Sequence, residues 1–191
     1  MRKFSRDSFN ITEAINELMH ESGVIVIENA YNLNDIKEAR EIVNHFADTQ
    51  EQKETHFNAE AEASDKIKLQ QRIWNLFGKG EVFSKLITND IIFSLMSKLL
   101  GSEFFCGSYC ASRLLPGSIG QELHIDYPYW DFYNSETFPM GLNSSFAQNC
   151  QATIPLDICS EQSGATAYLS LIHISEPTRP RLISYAVFCL K

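Results

Sequence analysis

No apolar run in this 191-residue chain approaches the roughly 20 residues a helix needs to cross a bilayer. The opening Met1-Arg2-Lys3-Phe4-Ser5-Arg6-Asp7 is basic, but no apolar stretch follows it, so no signal peptide is expected. Positive charge is scarce: 16 Lys and Arg face 24 Asp and Glu, a formal net charge of -8. That balance argues against nucleic acid or an anionic membrane surface as the main partner. The five cysteines (Cys106, Cys110, Cys150, Cys159, Cys189) include no Cys-x-x-Cys pair. A disulfide framework or zinc site is therefore not expected, and free thiols in a reducing cytoplasm are. No internal repeat and no linker composition interrupts the chain, which is read as one domain. What remains is ordinary globular material, 44% hydrophobic and 12% aromatic, enough for a real core.

The first half reads as helical with one short strand. Asn10-Ile11-Thr12-Glu13 predicts a helix start, with Asn10 capping and Glu13 reaching back. Ile11, Ala14, Ile15, Leu18 and Met19 then share one stripe. Gly23 punctuates, and Val24 to Ile27 predicts a buried strand. A second helix is expected from Asn34 to about Asp48, with Ile36, Ala39, Val43 and Phe46 inward. Residues 50–68 are polar, and read as a solvated loop or an active-site lid. Gln71 to Leu76 predicts a strand, and Glu81 to Ile87 and Asn89 to Leu100 predict helices, the latter ended by Gly101. Strands are expected from Phe104 to Leu115, Leu123 to Tyr127, Asn149 to Asp157 and from Ala165 onward. Pro116-Gly117 and Ser160 to Gly164 supply turns. Helices first and strands later suggest an α+β organisation around a sheet sandwich.

His124-Ile125-Asp126 is the chemically informative motif. A strand repeats its side-chain direction every two residues, so His124 and Asp126 would project to one face. Such a pair, with a second histidine from elsewhere, makes the facial triad that holds a non-haem ferrous ion and leaves positions open. His20 and His45 fall late in predicted helices and His56 in the polar stretch, where a solvated or structural role is the default. An aromatic cluster, with Tyr127, Tyr129 and Trp130, directly follows the motif and would line a substrate pocket or pack in the core. Gln121 precedes the motif on a loop. Arg72 and Asn75 would bind a co-substrate or substrate, or serve a structural role at a sheet edge.

From about Phe9 to Tyr168 the chain resembles the phytanoyl-CoA dioxygenase family of ferrous iron and 2-oxoglutarate-dependent oxygenases. The resemblance rests on Gly23 to Asn29, on Arg72 to Leu76, and on Leu99-Leu100-Gly101. It continues through Pro116-Gly117, Gln121 to Asp126, Pro155-Leu156-Asp157 and Gln162 to Ala165. It implies a double-stranded β-helix, or jelly roll, with helices on its outer face. It also implies Fe(II) held by His124 and Asp126, with 2-oxoglutarate and O2 as co-substrates and oxidation of a small organic or acyl substrate. Related halogenases lack the carboxylate, so Asp126 points to hydroxylation. The competing expectation is a non-catalytic jelly-roll binding module, in which His124 and Asp126 are hydrogen-bonded partners.

The family pattern also requires a distal histidine and a basic residue that pairs with the far carboxylate of 2-oxoglutarate. The only later histidine is His173, closer to His124 than the family's spacing. Leu169 to Arg179 resembles the conceptual translation of a transposon-end adaptor from short-read DNA sequencing. Ile183 to Leu190 resembles the flow-cell end of the same adaptor. The expectation is a C-terminally incomplete oxygenase domain over 1–168 and a non-native tail over 169–191. His173, Arg179 and Arg181 would then be neither ligands nor anchors.

Overall fold

The computed structural model describes residues 1–51, 66, 69–121, 136, 147 and 149–168, and the backbone alone of 185–190. Within them, helices and short strands alternate. The chain runs β1 (Arg2–Ser5), α1 (Ile11–His20), β2 (Val24–Glu28), α2 (Leu33–Thr49) and β3 (Gln70–Ile73). It continues with α3 (Glu81–Ile87), α4 (Asp90–Leu100), β4 (Ala111–Leu114), β5 (Asn149–Thr153) and β6 (Tyr185–Leu190). The larger sheet has the order β1-β2-β6-β5, and each of its ladders is parallel. β3 and β4 form a separate antiparallel ladder. No closed barrel is formed among the described residues.

The local rules explain the helices. Asn10 caps α1 by accepting from the Thr12 and Glu13 amides. Glu13 does reach back, but to the Asn10 side chain, whose Nδ2 donates to Glu13 Oε1 at 3.3 Å. Ala14 and Leu18 of the predicted stripe are fully buried, with Ile11, Ile15 and Met19 half-buried around them. α2 begins behind an Asn32 cap and buries Ala39, Val43 and Ala47. Ala47 falls a turn beyond Val43, and its small side chain gave no sequence signal. Asn89 caps α4, and Gly101 ends it at φ 91°, a conformation that favours glycine.

Two apolar clusters result. One joins Phe4, Leu18, Ile25, Ile27, Ile92 and Leu95; the other joins Val43, Ile73, Leu76, Val82, Phe83 and Leu86. Tyr31 and Ile154 pack against both. The Tyr31 hydroxyl donates to Leu86 O at 3.0 Å, so one side chain ties the first cluster to α3. Val24 to Ile27 are all buried, as expected of a parallel strand covered on both faces. Burying a side chain such as Leu95 stabilises by about 1.5–3 kcal/mol.

Several expected strands are shorter in the structure. The strand predicted over Gln71 to Leu76 spans Gln70–Ile73, because Asn75 turns at φ 55° and Leu76–Gly78 closes a single 3-10 turn. The strand predicted over Phe104 to Leu115 is confined to Ala111–Leu114, and Phe105 is 85% exposed. Its aromatic composition favours a strand, but nothing among the described residues pairs with it before Ala111. Asn149–Thr153 forms but stops before Pro155, and Ala165 to Tyr168 is not a strand. The turn over Ser160 to Gly164 forms as expected, with a Ser160–Ser163 capping box and Gly164 at φ 75°. Most of the polar stretch over 50–68 and the Leu123 to Tyr127 strand lie outside the described residues.

Among the described residues, no helix is long and apolar enough to cross a membrane. Cys106, Cys110, Cys150 and Cys159 are free thiols, and burial pushes Cys150 well above the usual thiol range.

Candidate functional site

The β3–β4 ladder organises the candidate residues that the structure describes. Gln70 pairs with Leu114, Gln71 with Arg113, Arg72 with Ser112 and Ile73 with Ala111. Side chains alternate along a strand, so the ladder has two unlike faces. One face carries Gln71, Arg113, Ile73 and Ala111 and packs on α2. There Arg113 donates to Gln71 Oε1 at 2.7 Å, to Asn44 Oδ1 at 3.3 Å and to Asp48 Oδ1 at 2.5 Å. The Arg113 hydrogen bond holds the Asp48 carboxyl below its usual range. Arg113 is thus a structural cation that fastens the ladder to α2, a role its sequence context did not announce.

The opposite face carries Gln70 and Arg72. Gln70 is only 8% exposed. The Arg72 guanidinium lies 6.0 Å from the centroid of the half-exposed Trp74 ring, at the outer limit of a cation–π contact. The ladder extends past β4, with the Leu115 amide donating to Leu69 O at 2.8 Å. The chain then turns over Pro116-Gly117, closed by Ser118 N donating to Leu115 O at 3.0 Å. Gly117 adopts φ 87°, which fits a turn with proline second and glycine third. The turn returns Ser118 to the end of the ladder where Gln70 sits, and Gln121 follows.

Gln70 Oε1 on β3, Ser118 Oγ in the turn and Gln121 Nε2 beyond it are buried atoms without a hydrogen-bond partner. Buried polar groups are nearly always satisfied. Leaving one unsatisfied costs about 1–3 kcal/mol, so each calls for a cause. Gln121 is among the residues expected from the sequence, whereas Gln70 and Ser118 are not. The missed signal was the polar Gln70-x-Arg72 alternation on a strand whose intervening and following residues face α2.

The remaining expected residues divide as follows. Asn75 occupies the left-handed turn after β3, and its amide lies over Gly78, so close that a Cβ there would stand 2.8 Å from Asn75 Nδ2. Its surroundings are those of a turn-forming residue. His124, Asp126, Tyr127 and Trp130 lie outside the described residues. Among the described residues, no group of three or more His, Cys, Asp or Glu side chains converges as a metal site. What they offer is uncharged hydrogen-bonding capacity and the Arg72 cation. His20 and His45 are solvent-exposed on α1 and α2. No family model and no curated protein matches this chain.

Proposed function

We propose that residues 1–168 are part of a ferrous iron and 2-oxoglutarate-dependent oxygenase that hydroxylates a small organic or acyl substrate. The observation that carries this reading is the His124-Ile125-Asp126 spacing, which would put an imidazole and a carboxylate on one strand face. Support comes from its approach: Gln121, three residues upstream, has a buried amide nitrogen with no partner. The reading carries with it a double-stranded β-helix, in which the antiparallel β3–β4 ladder would be one element. The tail over 169–191 is taken as non-native, so that His173, Arg179 and Arg181 play no part.

His124 and Asp126 would hold the metal, which when bound supplies the activation of O2. The chain's own residues then have positioning work to do. The Arg72 cation favours an anionic co-substrate or substrate on its face of β3. Gln121 offers a donor next to the metal-binding segment. Tyr127 and Trp130 would shield the substrate from water. With neither a distal histidine nor an anchoring arginine outside the tail segment, this chain is expected to bind Fe(II) weakly and not to turn over 2-oxoglutarate.

The test is an anaerobic Fe(II) titration with and without 2-oxoglutarate, read by metal-centred absorption. Absorption that disappears in His124→Ala and in Asp126→Ala supports the reading. Its absence in the unaltered chain even at Fe(II) concentrations that fill weak sites favours the second reading, a non-catalytic binding module. That alternative is motivated by the unsatisfied Gln70 and Gln121 amides, which suit a ligand bound without metal.

A further inference from the structure

β2 and β5 form two walls with one strand's place between them. Both come from residues 1–168, and the first apolar cluster holds both. Ile25 and Ile27 of β2 are buried in it, and Cys150 and Ala152 of β5 pack against it. Each wall turns an edge of main-chain donors and acceptors toward β6. Val187 pairs with Val24 and Gln151, Phe188 with Ile25 and Ala152, and Cys189 with Val26 and Thr153. The segment so placed belongs to the tail read as non-native, so the walls define the place without it.

We propose that this place is an acceptor site for a strand from a second polypeptide, an uncharged apolar segment of five or six residues that runs parallel to β2. Pairing to two open edges supplies main-chain hydrogen bonds, and the flanking ladders fix direction and register. The side-chain requirement follows from β2. Val24 and Val26 point to one face and Ile25 and Ile27 to the other, and all four are buried. A strand beside them is enclosed on both faces and needs a continuous apolar run, whereas a strand with one solvated face alternates.

Residues 185–190, Tyr-Ala-Val-Phe-Cys-Leu, are such a run, without charge or proline. Their pairing on both sides is the observation that says what fits. A segment foreign to the fold meets the requirement by composition. A polar side chain here would lose water without a compensating partner, because the neighbouring main-chain groups already pair with one another. The inference goes beyond the oxygenase reading and shares with it only the non-native origin of 169–191.

Fluorescence anisotropy of a labelled synthetic peptide tests it. The peptide carries the sequence of residues 185–190 between lysine pairs that keep it in solution. The protein is the full 191-residue chain with Val187→Pro or Val187→Gly, either of which loosens its own β6. Saturable binding at least tenfold tighter than to the unaltered chain is expected, because the unaltered chain fills the place from within. Bound peptide is also expected to raise the unfolding temperature of the variant. Val187→Gly keeps the main-chain donor and carries the test where Val187→Pro fails to fold.

Two further peptides probe the chemistry. One carries Val187→Pro; the other carries Ala186→Ser, Phe188→Ser and Leu190→Ser, which makes the run alternate. Both are expected to bind at least tenfold more weakly. No binding to Val187→Gly, or equal binding of either altered peptide, would overturn the site. A dimer of the unaltered chain that Val187→Pro abolishes would overturn the stated partner and put a second copy there. Iron absorption without peptide binding sinks the acceptor site alone. Peptide binding without iron absorption sinks the oxygenase reading alone.

Discussion

Asn89 Nδ2 donates to Ala30 O at 2.8 Å, joining the start of α4 to the chain that leaves β2. The same carboxamide accepts through Oδ1 from the Ile91 and Ile92 amides. One buried side chain therefore caps a helix and fixes where that helix sits on the sheet. Arg6 shares the task, donating to Ala30 O at 2.7 Å and to Asp90 Oδ1 at 2.9 Å.

Asn89→Ala is accordingly expected to destabilise the fold by about 1–2 kcal/mol, the usual loss of an N-cap. The Ala30 carbonyl keeps its Arg6 donor, which limits the damage. Asn89→Asp retains the capping acceptor and places charge at a favourable helix end, so it should recover at least half of the loss. Urea unfolding of the two variants side by side measures both. An alanine variant with an unchanged midpoint would show that the cap contributes nothing.

The Arg113–Asp48 contact should appear in the pH dependence of stability. The Arg113 hydrogen bond lowers the Asp48 pKa in the folded chain. A depressed folded pKa contributes stability above the unfolded value, about 3.9 for aspartate. That contribution is lost as the pH falls through the folded value. Asp48→Asn should therefore flatten the decline in stability on the acid side and change little near neutrality. Unfolding midpoints across the acid range decide it. A variant curve parallel to the parent's throughout would remove Asp48 from the account.

β6 makes a separate claim. Val187 is paired with Val24 on one side and Gln151 on the other, at the centre of the larger sheet. Proline there removes a ladder donor in an interior strand. Val187→Pro is expected to lower stability by about 1–3 kcal/mol, the range for a lost buried hydrogen bond. Differential scanning calorimetry is the direct measurement. Identical transitions in parent and variant would show that the tail stands apart from the sheet.

His173 carries the sharpest chemical forecast. If the tail contributes no ligand, His173→Ala leaves Fe(II) affinity unchanged, whereas His124→Ala and Asp126→Ala lower it at least tenfold. Succinate production from the unaltered chain, abolished by His173→Ala, would reverse the assignment.

The helices were legible because their signals are local. Asn10, Gly101 and the Ala14–Leu18 stripe each act within a turn or two of the chain. Strand ends were less legible, because a strand stops where its partner stops. The aromatic residues before Ala111 read as strand, yet nothing pairs with them among the described residues. Arg113 was invisible as a fastener because Asp48 and Asn44 approach it from distant sequence. Gln70 escaped notice for a related reason. Its interest lies in a buried Oε1 without a donor, a property that only a folded neighbourhood can reveal.

β2 and β5 are each hydrogen-bonded to β6 and not to each other. Neighbouring strands lie about 4.8 Å apart, so these two stand some 9–10 Å from one another with a single strand's width between them. Main-chain donors and acceptors in such a gap recognise extension and hand, and are blind to ancestry. A six-residue segment with no history of selection in this fold can occupy the gap if it is apolar and β-prone, as Tyr185–Leu190 is. The gap thus accepts Tyr185–Leu190 through main-chain pairing and β-propensity, whatever the origin of that segment.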